Sequence, residues 1–193
     1  MAGLFEAVPG GGAAVALDEV EIAILRSLSV QLLELIGPGD EPVEGEDPLA
    51  ALFSEGPSEP PADPALARLF PDAYDRGESD ELRESAAEFR RFTEKDLRAR
   101  KRDDALAVVR ALDSLTPKGD GGAVLKLSAD DAKRWLGALN DLRLTIGTRL
   151  DVTDEDEGGE LYRLPDEDPR KPMVMAYLWL GGLQETLVET LMA

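Results

Sequence analysis

Apolar residues recur at intervals of three and four positions along most of the chain, and this spacing constrains the fold most strongly. The first such stripe comprises Ile22, Leu25, Leu28, Leu32, Leu35 and Ile36. Asp18 followed by Glu21 has the capping-box pattern of a helix start, and the Gly-Pro-Gly run 37–39 ends the stripe. Similar patterns predict helices over 65–74, 79–101, 103–115, 128–150 and from about 169 to the end. We therefore predict a mainly α protein, a bundle of about five to six helices.

Three short segments have strand patterns instead. Residues 4–8 and 13–17 flank a glycine run and predict a β-hairpin, and residues 123–127 form a further strand before the Ser128 helix. These strands predict a small β-sheet beside the bundle. Shifting the chain by 110 residues aligns 11–37 with 121–147, with seven identities in 27 positions. The similarity indicates either an internal repeat, whose two strands would pair across a pseudo-twofold axis, or merely the shared pattern of strand–helix units.

Two acid-rich segments interrupt the helical pattern. Residues 40–63 carry eight acids, no bases and five prolines, and we expect a disordered insert there. Residues 151–168 form a second acidic loop, with a short strand expected at 161–164. The length of 193 residues is that of one domain, so we expect a single domain over 1–193.

The region 79–115 contains two apolar faces. The first comprises Leu82, Phe89, Thr93 and Leu97, and the second comprises Ala105, Val108, Val109, Leu112 and Leu115. The two faces differ in direction by about 100° on a helical wheel. Either the chain breaks near Arg102, or one long helix changes its packing partner there.

Composition excludes many functions. The chain has no cysteine and no histidine, which removes thiolate nucleophiles, disulfides, the usual general base and the usual zinc ligand. The acid runs match no calcium-binding loop, and the glycine runs match neither a P-loop nor a dinucleotide fingerprint. We therefore predict no catalytic, cofactor or metal site and a non-enzymatic protein. Without a signal-peptide pattern or a membrane-length apolar run, we expect a cytoplasmic protein.

Charge gives one candidate site. The net charge is −19, which repels nucleic acid at long range. Residues 90–102 nevertheless contain seven bases and two acids, a local charge of +5. Four of these bases, Arg91, Lys95, Arg98 and Arg102, lie within about 60° on a helical wheel. This basic stripe is either a docking surface for an acidic partner or a nucleic acid, or a solvated face that pairs with acids of the same chain.

The remaining polar candidates lie in the 135–150 helix. Asn140, Asp141, Arg143 and Arg149 interrupt an apolar sequence, so they must be hydrogen-bonded if buried. We interpret them as a structural polar network or an Asp–Arg pair, with a ligand site as the alternative.

The last helix is apolar on two sides. Met173, Ala176, Tyr177, Leu180, Leu183, Leu187 and Leu191 share one face, and Val174, Leu178 and Val188 lie towards another. It is either central to the core or an association surface, which would allow a homodimer.

Three stretches carry a family resemblance: residues 88–98, 135–150 and 178–187. They resemble an uncharacterised actinobacterial family that is typically encoded near the ClpS protease adaptor and is labelled as oxidative-stress transcriptional regulators of the AosR type. The resemblance implies a regulator that contacts transcription machinery under thiol control. Because this chain lacks cysteine, the thiol control does not carry over to it.

We therefore predict a regulatory or adaptor protein that acts by protein–protein contact. The resemblance suggests a sigma factor, RNA polymerase or Clp components as partners. Direct DNA binding through the basic stripe is the alternative.

Overall fold

The computed structural model describes residues 3–9, 11–38, 56–74, 79–116, 122–153 and 161–192. In chain order, its elements are β1 (Glu6–Ala7), β2 (Ala13–Leu17), α1 (Glu19–Ile36), α2 (Pro64–Leu69), α3 (Asp80–Asp113), β3 (Ala123–Leu127), α4 (Ala129–Arg149), a 3₁₀ turn (Leu161–Arg163) and α5 (Lys171–Met192). The prediction of a mainly helical fold with a small sheet is confirmed.

The sheet is antiparallel, with the strand order β1-β2-β3. In the β2–β3 ladder Val15 pairs with Leu125, while Ala13 pairs with Leu127 and Leu17 with Ala123. The 110-residue shift maps Val15 onto Leu125, so two equivalent residues face each other at the centre of the ladder. A local twofold axis through this pair relates the two strands, as the interpretation of an internal repeat requires.

The β2–α1 and β3–α4 units also correspond to each other in their helices. Asp18 caps α1 by accepting a hydrogen bond from the Glu21 amide at 2.8 Å, and Ser128 caps α4 by accepting one from the Asp131 amide at 3.1 Å. The buried residues Leu25, Leu32 and Ile36 of α1 correspond to Trp135, Leu142 and Ile146 of α4, which are also buried. Strand and helix therefore bury equivalent positions in both units.

The core lies between the sheet and the helices. Alternate residues of β2 and β3 point into it, and α1, α3, α4 and α5 each contribute a buried face. Trp135 lies at the centre, 1% exposed, with its ring 6.1 Å from that of Phe5 in an edge-on arrangement. The predicted buried residues of α4, which also include Leu139, are confirmed.

The predicted helices over 79–101 and 103–115 are one continuous helix, α3. Its C-terminal half buries Ala105, Val108 and Leu112 in the core, as predicted. The apolar face predicted for its N-terminal half is wrong at Leu82 and Phe89, which are 42% and 46% exposed, whereas Leu97 packs against the core.

The buried face of this N-terminal half carries charges instead. Arg90 and Glu94 are 4% and 3% exposed and form an ion pair with each other. Arg90 also donates to the Phe70 carbonyl oxygen at 2.8 Å and to the Asp72 carboxylate at 2.9 Å. The chain after α2 thus supplies polar partners at this position, which a helical wheel of α3 alone cannot reveal.

The structure describes only part of each of the two acid-rich segments. The predicted disordered insert spans 40–63, and residues 40–55 lie outside the described residues. The ordered chain resumes at Gly56, earlier than predicted, and the Gly56 amide donates to the Arg91 carbonyl oxygen at 2.9 Å. In the second acidic segment, residues 161–163 form a 3₁₀ turn rather than the expected strand, and residues 154–160 are not described.

The buried ion pair gives a first testable prediction. Replacing Glu94 by Ala leaves the Arg90 guanidinium buried without its main counter-charge, which should lower the free energy of unfolding by about 3–5 kcal/mol. The double substitution Arg90→Met/Glu94→Leu should cost less, because no uncompensated charge remains buried. Urea denaturation measures both effects.

The exposed Glu88→Ala in the same helix serves as the control and should change stability little. Equal stability of Glu94→Ala and Glu88→Ala would contradict the buried position of the pair.

Candidate functional site: an apolar groove between three helices

An apolar groove of about 1160 Å³ runs between α1, α4 and α5. Its lining residues are Glu21, Ile24, Leu28, Gln31, Leu32 and Leu35 of α1, Leu142, Thr145, Ile146 and Arg149 of α4, and Pro172, Met173, Met175, Ala176 and Trp179 of α5. Eleven of these fifteen side chains are apolar. A contiguous apolar surface of this kind is typical of a site where a ligand or another protein binds.

The groove exists because α1 and α5 are apolar over more of their circumference than the core covers. In α5, Val174, Leu180, Leu183 and Leu187 are buried, whereas Met173 and Met175 are 43% and 57% exposed. In α1, Ile24 is 40% exposed beside the buried Leu25. One side of the last helix therefore packs in the core, while another lines an open surface; its use as an association surface stays a prediction.

The groove has little charge of its own. Arg149 is the one base in its lining, and it donates to the Asp63 carboxylate at 2.6 Å. This hydrogen bond lowers the pKa of Asp63, and the Leu66 amide acts in the same direction. Glu21, the one acid in the lining, accepts a hydrogen bond from the Asp18 amide at 2.9 Å.

The basic stripe contributes no side chain to the groove lining, and two of its members contact the end of α1. Arg98 donates to the Ile36 carbonyl oxygen, and Arg102 donates to that of Gly37. Arg98 also bonds Glu94 at 2.7 Å and lies over the Phe70 ring, 4.4 Å from its centroid. The carbonyls at a helix C-terminus lack intrahelical partners and carry partial negative charge, so these arginines cap α1.

Arg91 and Lys95 belong to the same stripe, and both have further interactions within the protein. The backbone carbonyl of Arg91 accepts a hydrogen bond from the Gly56 amide, and a Cβ at Gly56 would lie 3.5 Å from the Lys95 stem. Partner binding by the stripe stays a prediction, but its side chains already have internal contacts.

Three of the four polar residues of α4 are connected, because Asn140 hydrogen-bonds to Asp141 and is linked to Arg143 through Gln184. The Arg143 guanidinium donates to Gln184 of α5 at 2.7 Å, and the Gln184 amide donates to Asn140 at 3.4 Å. Arg143 also lies 5.1 Å from the centroid of the Tyr177 ring. Asp141 also contacts Lys101 of α3, whereas Arg149 contacts Asp63 before α2. The residues thus connect α4 to three neighbouring segments.

A second buried charge cluster lies between α3 and α4. Asp141 is 2% exposed and accepts a hydrogen bond from the Lys101 ammonium at 2.6 Å. Burial raises the pKa of Asp141, while the hydrogen bond from Lys101 opposes that rise. Burial likewise raises the pKa of Asp104, which lies against Gly137; Arg100 opposes that rise and Asp141 adds to it.

A smaller apolar patch lies at the start of α3. It consists of Leu82, Phe89 and Phe92, and Phe92 is 65% exposed. The Tyr74 ring packs edge-on against Phe89 at 6.2 Å. This α3 patch is convex, because its side chains project from one helix, and it makes a useful comparison for the groove.

Among the described residues, no group of three or more acids could hold a metal ion. No described helix is long and apolar enough to cross a membrane.

Comparison with known proteins places the chain in a family. Residues 2–191 match the family model described as Domain of unknown function (DUF2017). This protein belongs to the DUF2017 family. The family resemblance inferred from the sequence is confirmed, because this protein is also similar to mycobacterial proteins of the AosR type.

Two of these relatives are named Oxidative stress regulator AosR, from Mycobacterium bovis and Mycobacterium tuberculosis. Each is 31% identical over 176 residues, which cover 89% of this chain and 78% of the relative. A Mycobacterium leprae protein whose name also includes AosR is 33% identical over 186 residues, 90% of this chain and 79% of its own length. No solved structure matches the chain.

Helix capping by the basic stripe yields a second prediction. Arg98→Ala should lower the free energy of unfolding by about 1.5–3 kcal/mol, because a charge-assisted bond to a helix C-terminus is lost. Arg102→Ala should cost less, because Arg102 lacks the additional contacts of Arg98 with Glu94 and Phe70. Thermal or urea unfolding measures both.

The exposed Arg110→Ala on the same helix removes the same charge without a cap and should be nearly neutral. If Arg98→Ala matched Arg110→Ala in stability, the proposed capping role would be wrong.

A third prediction concerns pH. Burial raises the pKa of Asp104, so protonation of this carboxyl favours the folded state. The resulting stabilisation is complete below the ordinary aspartate pKa of about 3.9. It is lost as the pH rises through the pKa that Asp104 has in the folded protein. Asp104→Asn cannot gain this stabilisation. The stability of wild type relative to Asp104→Asn should therefore increase as the pH falls from neutrality towards about 4.

Urea denaturation at several pH values checks this difference, with the exposed Asp96→Asn of the same helix as control. A wild-type advantage over Asp104→Asn that shrinks on acidification would contradict the burial of this carboxyl.

Proposed function

We propose that this DUF2017 protein is a non-enzymatic regulator that binds a protein partner through the groove between α1, α4 and α5. The observation that carries the proposal is the exposure of Ile24, Met173 and Met175 around one contiguous apolar concavity. Leaving such side chains in water is unfavourable, and their burial against a partner would supply binding free energy.

The names of the relatives support a regulatory role. Two proteins that are 31% identical over most of this chain are named oxidative stress regulators. This chain has no cysteine, so a disulfide cannot switch it. We therefore propose regulation by contact, in which occupancy of the groove, rather than oxidation of the protein, changes the state of the partner.

We propose transcription machinery, a sigma factor or RNA polymerase, or a Clp component as the partner. The basis is the family resemblance carried by residues 88–98, 135–150 and 178–187. The groove includes lining residues from the second of these stretches and, with Trp179, from the third.

Direct DNA binding through the basic stripe has less support. Arg98 and Arg102 donate to backbone carbonyls of α1, and Arg98 also pairs with the buried Glu94. The net charge of −19 opposes approach to a phosphate backbone. Contact with DNA would require these side chains to exchange internal partners for phosphates.

The test is affinity capture of the tagged protein from its native lysate, with nuclease treatment and with matched variants. Ile24→Gln/Met175→Gln removes exposed apolar groups without altering charge. This double substitution should reduce recovery of the proposed transcription or Clp partner by at least about tenfold, since loss of two apolar anchors at an interface costs a few kcal/mol. Phe92→Gln, in the α3 patch, is the control and should leave recovery unchanged.

Two results would contradict the proposal. Recovery that survives Ile24→Gln/Met175→Gln but is lost with Arg91→Glu/Lys95→Glu would assign binding to the basic stripe. Recovery that disappears after nuclease treatment would make nucleic acid the bridge to the captured proteins.

A further inference from the structure

The groove has the length of a helix. Its α1 wall extends from Glu21 to Leu35, which corresponds to about 21 Å along the axis at 1.5 Å per residue. An occupant helix of about four turns would span this wall. The volume of about 1160 Å³ also exceeds the range of about 300–1,000 Å³ that is usual for small-molecule sites. Both dimensions favour a polypeptide segment over a small ligand.

The walls suit a helical segment in chemistry as well as in length. One wall carries Met173 and Met175 in the first turns of α5, and unbranched methionine side chains adapt to irregular apolar surfaces. The opposite wall carries Ile24, Leu28 and Leu35 along one face of α1. Grooves between helices bind the apolar face of an amphipathic helix through anchors at helical spacing.

The protein that carries the groove has a net charge of −19. The bases near the described rim of the groove are already paired: Arg149 with Asp63 at 2.6 Å, Arg170 with Asp168 at 3.0 Å, and Lys171 with Asp166. This net negative charge attracts cationic partners at long range.

On this basis we infer that the occupant of the groove is a basic amphipathic helix of a partner protein, with an apolar face flanked by Lys or Arg. The inference rests on the proposed function and adds the chemistry of the partner. The apolar face fills the groove, and the net negative charge of the protein attracts the flanking bases, which raises the association rate and disfavours acidic helices.

The experiment titrates the full-length protein with three helical peptides of about 18 residues each. All three share apolar anchors at the same helical spacing, while the flanking positions are Lys, Gln or Glu. Fluorescence anisotropy of labelled peptide gives the affinity. Tryptophan emission gives a second signal, because Trp179 lines the groove whereas Trp135 is 1% exposed in the core.

The Lys peptide should bind at least about tenfold more tightly than the Glu peptide at low salt. The difference should shrink at about 0.5 M salt, where charges are screened over a few ångströms. Ile24→Gln/Met175→Gln should weaken the Lys peptide by about tenfold or more without any change in protein charge. Phe92→Gln should leave its affinity unchanged.

Three results would overturn the inference. Equal affinities of the three peptides would show that the groove has no preference for a basic helix. The proposed function would still stand if Ile24→Gln/Met175→Gln reduced partner recovery in the affinity-capture experiment. Unchanged affinity of the Lys peptide for the Ile24→Gln/Met175→Gln variant would mean that the negative charge of the protein attracts the peptide and that the groove does not bind it. A dimer in sedimentation experiments that Met175→Gln dissociates would make a second copy of this chain the occupant.

Discussion

The antiparallel pairing of β2 with β3 is the constraint on which the rest of the structure depends. It joins residues 13–17 to residues 123–127, across more than half of the chain. Gly12 permits this approach, because a Cβ at that position would lie 2.2 Å from the Leu127 carbonyl oxygen. Each strand leads directly into a capped helix, so the ladder also fixes where α1 and α4 begin.

The groove follows from this arrangement. Leu32 and Ile36 of α1 and their equivalents in α4, Leu142 and Ile146, are all buried, and three of these four residues also form part of the groove lining. α5 packs against α4 and supplies the remaining wall. The apolar surface of α5 exceeds what α4 covers, and the excess becomes the exposed side of the groove.

Long-range charge contacts hold the long helix α3 against this framework. Arg98 and Arg102 end α1, Arg90 and Glu94 hold the chain after α2, and Lys101 reaches Asp141 on α4. The basic segment 90–102 thus has structural contacts on several sides. In a protein with a net charge of −19, these bases offset acids that would otherwise repel one another.

Much of the fold could be predicted from the sequence, because helical periodicity and capping residues are local signals. Asp18, Glu21 and Ser128 mark helix starts, and the apolar spacing of α4 identifies its buried residues. The buried face of the first half of α3 could not be predicted in the same way. Its buried Arg90 and Glu94 depend on a carbonyl and a carboxylate from a segment about twenty positions away.

The candidate site could be predicted only in part. The two-sided apolar pattern of α5 indicated an exposed surface, but the groove also needs α1 and α4, and their relative placement is a tertiary property. The spacing of Arg91, Lys95, Arg98 and Arg102 along α3 predicts a cluster on one helix face. Its contacts with α1 depend on where the C-terminus of α1 lies in space, and the spacing of bases along α3 carries no information about that.

The most direct test of the central claim uses the absence of cysteine. Met175→Cys and Lys95→Cys each create a single thiol, to which a maleimide–benzophenone photo-crosslinker can be attached. After irradiation in native lysate, mass spectrometry identifies the crosslinked partner segment. Partner contact through the groove predicts an adduct from position 175 with a helical segment of another protein, and none from position 95. An adduct from position 95 alone would contradict the account and return the site to the basic stripe.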